Sequence, residues 1–208
     1  MEKYMQIVKY NLKYNIPPHF IISVLLLLCS PLILGLGNLN RFETAKVLEM
    51  YVVLVGIIMI TPIFLPEQNK DIRDLLSTKA LNMAVVYGIR VLQAVVLVMI
   101  MVSIFVAVLK MGNCDFPTIS YFFGTMAGIL AIGGTGMVFY ALADQVVVGY
   151  MIPLLYYLIS YGTKDKYLGK LYLFSMSDGR VGEKLYLAIV GILFIGLGIW
   201  IRCRKSLR

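Results

Sequence analysis

Residues 116–143 form a 28-residue stretch without one charged side chain, and five other runs of the chain are nearly as apolar. A membrane span needs about 20 such residues, and lipid forces its backbone to satisfy its own hydrogen bonds, as a helix does. Six helical spans take up most of the 208 residues. The composition agrees: 60% hydrophobic and 14% charged, with a mean hydropathy of +0.85. Soluble domains are nearer half apolar and a quarter charged. A soluble enzyme, a disordered tail and a secreted disulfide scaffold are therefore excluded. The connecting segments are too short for a soluble domain. Any soluble catalytic or nucleotide-binding domain is expected on another chain.

The fold class is all-α integral membrane, one domain over residues 1–208. The spans are predicted at about 20–37, 48–65, 83–109, 118–141, 145–162 and 185–202. Residues 1–19 precede the first span. Tyr4, Ile7, Val8 and Leu12 recur there at helical spacing between lysines, which reads as an amphipathic helix in the interface. Pro17 and Pro18 are expected to break it from the span. No small-residue cleavage pattern follows, so a cleaved signal is not expected.

The most informative polar stretch follows the second span. In residues 66–80, Pro66 can open a helix, and Glu67 and Asp71 suit its positive end. Ile72, Leu75 and Leu76 make one apolar stripe, while Lys70, Arg73 and Asp74 take the other face. A short amphipathic helix at the membrane surface is predicted. Residues 163–184 form the longest connection. The run from Tyr167 to Phe174 is too apolar for a free loop and too short to span, so it reads as re-entrant or interfacial.

Net charge is +8, from 19 Lys+Arg and 11 Asp+Glu. The bases gather at span ends, where they set orientation and meet anionic lipid. No polar surface is large enough for a nucleic-acid groove. With both termini inside, 10 bases fall on the inner side and 8 on the outer. Both termini are therefore expected in the cytoplasm. Arg90 is expected at the interface, with its head reaching water past the uncharged run 91–109. An intramembrane functional charge is the alternative. Lys184 and Arg202 are expected to extend the sixth span in the same way.

Gly124, Gly128 and the run Gly133, Gly134, Thr135, Gly136 read as a helix-packing face, or else a hinge. Asp144 and Gln145 form the turn between spans four and five. Tyr150, Tyr157 and Tyr161 share one helix face, either lining a path or packing.

Catalytic and metal-binding signals are missing. His19 is the single histidine, and Cys29, Cys114 and Cys203 read as scattered free thiols. The nearest approach to a phosphate loop, Gly169-Lys170, is followed by Leu171 where a hydroxyl is needed. The spans are expected to hold no ionisable group except Arg90. No catalytic residue, no metal ligand and no cofactor bound by this chain are predicted.

The order of parts resembles the ABC-2-type permease family, the six-span membrane subunits of ATP-driven exporters. In that family a stretch such as P-x-E-x-x-x-x-I/T-x-x-L-L-S-x-P follows the second span. Here the stretch from Pro66 to Lys79 occupies that place: Glu67, Ile72, Leu75, Leu76 and Ser77 match it, and Lys79 stands where the family has proline. The resemblance implies that residues 1–19 are an elbow helix and 66–80 a cytoplasmic coupling helix. Glu67, Lys70, Asp71, Arg73 and Asp74 would touch a separate ATP-binding subunit, which would carry ATP and Mg. Ile72, Leu75 and Leu76 would pack under the elbow helix or on that subunit. Asp144 and Gln145 would make a smaller second contact, and 163–184 would be the extracellular re-entrant segment. A second permease chain, identical or paralogous, would share the path for a peptide, antibiotic or lipid-like substrate. The location implied is a plasma membrane, with short loops and few cysteines suiting a bacterial one. An ATP-independent carrier or channel, a membrane accessory or immunity protein, and an intramembrane enzyme are the competing readings.

Overall fold

The computed structural model describes residues 2–35, 37–68, 83–163 and 165–206. These are almost wholly helical and contain no strand. Among the described residues six helices are long and apolar enough to cross a membrane: Met5–Pro31, Arg41–Glu67, Met83–Met111, Thr118–Ala143, Val146–Thr163 and Val181–Lys205. This architecture is consistent with a multi-pass membrane protein. Below they are called spans one to six.

The first span differs from expectation. Helix Glu2–Tyr10 passes through a π-helical turn, Asn11–Asn15, into helix Ile16–Leu34 without a break. Pro17 and Pro18 fall in the first turn of that last helix, where missing N–H groups are tolerated. The wider turn carries the chain past them, with the Ile16 N–H bonding the Asn11 carbonyl. The helix ends at Gly35, whose φ of 62° suits glycine, with its N–H on the Pro31 carbonyl at 3.0 Å.

Span two starts earlier than the hydropathy implied. Asn40 and Glu43 form a capping box, with the Asn40 N–H on Glu43 Oε2 at 3.0 Å, so helix begins at Arg41. It continues through 3-10 turns at Val52–Leu54 and Thr61–Glu67. Pro66 lies inside the last of these turns rather than opening a new helix. Residues 69–82 lie outside the described residues, and with them Lys70, Asp71, Ile72, Arg73, Asp74, Leu75 and Leu76.

Spans two and four are the centre of the bundle. Of their most apolar windows 78% and 67% are buried, against 6% and 17% for spans one and five. The glycines of span four explain this position. A Cβ on Gly191 of span six would lie 2.5 Å from the Leu130 carbonyl carbon, and one on Gly134 would lie 2.7 Å from the Gly191 oxygen. Gly133 likewise faces the Gly56 carbonyl and Ile60 of span two, and Gly136 faces Thr61 and Gly149 of span five. In lipid, association rests on such close backbone packing. Span four is one uninterrupted α-helix, so its glycines serve packing rather than a bend.

The connection between spans five and six folds inward. After a short helix Asp165–Leu168 and a 3-10 turn Gly169–Leu171, Leu173, Phe174 and Met176 are buried. Leu173 reaches the side of Gly128, and a Cβ on Gly124 would collide with Met176.

Candidate functional site

Each of the three bases expected to snorkel is instead drawn into the bundle by a carboxylate. The first meeting point lies at the end that carries both termini. Glu67, fully buried, closes span two. Arg90 of span three donates from Nη1 to Glu67 Oε1 at 2.8 Å, and Tyr87, one turn earlier, donates its hydroxyl to Glu67 Oε2. Arg90 Nη1 also lies 3.4 Å from the Ile63 carbonyl. Arg90 therefore does not reach out to water: its side chain is 9% exposed and paired. A buried charge without a partner is costly, and Glu67 supplies the partner.

Arg202 of span six extends the cluster. Its Nη1 donates to Asp144 Oδ1, and its Nη2 donates to the Glu67 carbonyl at 3.1 Å. Asp144 can take the left-handed conformation, φ 55°, that ends span four, and its N–H bonds the Tyr140 carbonyl at 2.9 Å. That turn points the carboxylate at Arg202. The guanidinium stands over Phe64 and Tyr140, 5.6 and 5.9 Å from the ring centres. Tyr140 donates to Gln68 Oε1 at 3.3 Å. One polar cluster thus ties the ends of spans two, three, four and six, at the base of the 66–80 stretch.

A second cluster lies toward the other end. Glu49 of span two accepts from Lys184 Nζ at 2.6 Å, with both side chains at most 4% exposed. The same carboxylate accepts the N–H groups of Met176 and Ser177 at 2.8 and 2.9 Å. Lys184 also donates to the Leu173 carbonyl. These bonds pin the inward fold of the connection, whose backbone polar groups would otherwise be unsatisfied in an apolar interior. Lys184 is thus paired rather than snorkelling, and Glu49 is a span carboxylate that the hydropathy reading passed over.

The tyrosine face divides between the two ends. Tyr150 packs partly buried against the core. Tyr157 donates to the Met50 carbonyl at 2.9 Å, and its ring meets Phe174 edge-on at 5.3 Å. Tyr161 meets the same Phe174 at 6.2 Å but is largely exposed. All three therefore stand among packing contacts of span five. Of the residues given to a partner contact, Glu67 turns inward and Asp144 keeps its side chain 34% exposed at the end of the bundle.

The sequence reading missed Glu49, Tyr87, Tyr140 and the pairing of Lys184 and Arg202. A signal was present for Glu49: a carboxylate directly before an apolar run is costly in a membrane and asks for a partner. Among the described residues no three His, Cys, Asp or Glu side chains converge as metal ligands would. No protein-family model, curated protein or solved structure matches the chain.

Proposed function

We propose that this chain is the membrane permease subunit of an ATP-driven exporter, of the ABC-2 type. The observation that carries the reading is the cluster around Glu67. In such a machine a soluble ATPase must pull on a surface element, and the pull must reach several spans together. The 66–80 stretch is a candidate surface element, the coupling helix. Its first residues are bonded to Arg90 and, through the Glu67 carbonyl, to Arg202. Displacement there would load spans three and six and the Asp144 turn at once. The helical N-terminus would serve as the elbow helix, and the buried connection between spans five and six as the outer re-entrant segment. Both termini would then be cytoplasmic, in a bacterial plasma membrane.

Under this reading the chain pairs with an identical or paralogous permease, and ATP and Mg belong to the partner subunit. The substrate class is a peptide, an antibiotic or a lipid-like molecule.

A second reading draws on the buried ion pairs. An ion-coupled carrier keeps ionisable groups inside the membrane. Here the pairs sit toward the two ends of the bundle and are closed by hydrogen bonds, which suits structural latches better than a coupling-ion site.

Purification from native membranes in mild detergent, with mass spectrometry of copurifying chains, tests the proposal. A stoichiometric soluble chain carrying a phosphate-binding loop is the expected result. Recovery of this chain alone, where control membrane complexes survive, would remove the exporter reading.

A further inference from the structure

A cleft opens at the end of the bundle away from the termini, between span two, span five and the connection that follows it. It measures about 940 Å³ including its open mouth, a size that holds small ligands. Lys46 and Met50 of span two, Tyr161 of span five, and Phe174 and Asp178 of the connection line it.

The polarity of the cleft is graded. Lys46 lies two residues before the apolar run 48–65. Met50 lies one turn further in on the same helix, so the two share a face, with the cation nearer water. Tyr161 stands two residues before the end of span five, and its ring meets Phe174 edge-on. Phe174 is buried and Tyr161 is 58% exposed. The cleft is therefore charged at its water end and apolar at its membrane end, at the level where amphiphiles gather.

The charges around it leave one cation over. Asp178 is held by Arg180 at 3.5 Å, and Arg180 also meets Glu183 at 3.3 Å. Glu43, one turn before Lys46, accepts the Asn40 N–H, and Glu49 is bound to Lys184. Lys46 is exposed and forms no ion pair with a described carboxylate. An anion can therefore reach it.

One free positive charge beside an apolar wall matches one negative charge on an apolar body. Lysine offers a point charge rather than the planar fork that grips phosphate two-handed, which suits a single carboxylate. A diacyl phospholipid is too bulky for the cleft, whereas a single chain fits. We propose that this cleft binds a long-chain carboxylate drawn from the membrane, with its head on Lys46 and its chain against Met50, Tyr161 and Phe174. This does not depend on the exporter reading.

The test uses the full chain in phosphatidylcholine nanodiscs. A dodecanoate with a mid-chain diazirine is photolysed on it, and the labelled residues are mapped by mass spectrometry. Saturable labelling at the cleft, displaced by plain dodecanoate, is expected. The methyl ester of the probe lacks the charge and should label the cleft roughly tenfold less, the worth of one charge-assisted hydrogen bond at an exposed site. Lys46→Gln should lose labelling by the acid to the same extent while melting as the wild type does, because the side chain is exposed and has no ionic partner to orphan. Lys46→Arg should keep it. Labelling spread without saturation over the lipid-facing spans would overturn the proposal. Equal labelling by acid and ester, or undiminished labelling of Lys46→Gln, would do the same. In a second arm, an apolar hexapeptide competes with the probe. Stronger displacement by its free acid than by dodecanoate, with none by its C-terminal amide, would overturn the membrane source and assign the cleft to peptide ends.

Discussion

Lys184 and Glu49 meet at 2.6 Å between spans six and two, and the same carboxylate holds the backbone N–H groups of Met176 and Ser177. One carboxylate thus neutralises a buried cation and anchors a segment of irregular backbone. Removing either partner leaves the other charged, desolvated and alone. Glu49→Gln and Lys184→Met are each expected to destabilise the bundle by about 3–5 kcal/mol, and the double variant by less than their sum. Thermal unfolding in detergent, run as a double-mutant cycle, checks this. Strictly additive effects would mean that the two side chains do not interact.

The Glu67–Arg90 pair makes a different demand, because Tyr87 and Arg202 lean on the same residue. Charge reversal at Glu67 would place three positive groups together and should abolish stable folding. If the chain is the exporter permease proposed above, reversal at Asp71 would uncouple the ATPase activity of the partner subunit. Folded protein yield and ATPase rate, measured on both variants, separate the roles. A stable Glu67→Lys chain would contradict the buried network.

Helix contact through glycine gives a sharp steric forecast. Gly191→Val must push spans four and six apart, because its added carbons would overlap the Leu130 backbone. A loss of about 1–3 kcal/mol is expected. A methyl group added at Gly196 would meet no described atom within 4 Å, so Gly196→Ala should be neutral or slightly stabilising. Equal melting temperatures for the Gly191→Val and wild-type chains would refute the packing.

Topology can be read by labelling. Single cysteines at Asp178 and Lys205, in a chain lacking Cys29, Cys114 and Cys203, should react with an impermeant maleimide from opposite sides of the membrane. Labelling of both from one side would break the six-span arrangement.

The span count was legible in the sequence because hydropathy is a local property. Lipid demands about 20 apolar residues and internal backbone bonding wherever a chain crosses it, whatever the neighbours are. The start of span two was also legible in principle, since Asn40 and Glu43 announce a helix three residues apart. The fate of Pro17 and Pro18 was less so. A proline pair reads as a break, yet one turn of π-helix was enough to carry the helix through.

Sequence alone determined that this chain is helical, that it has six segments fit to cross a membrane, and that span four is lined with glycine. Tertiary structure decided what the charges do. Lys184 and Arg202 stand near the two ends of span six and Arg90 two turns inside span three, and at each place water and a carboxylate compete for the cation. That contest is settled by whether Glu67, Glu49 or Asp144 lies within a few ångströms, and only packing brings them there. A base next to an apolar run reads the same in either case, because the partner that changes its meaning belongs to another helix.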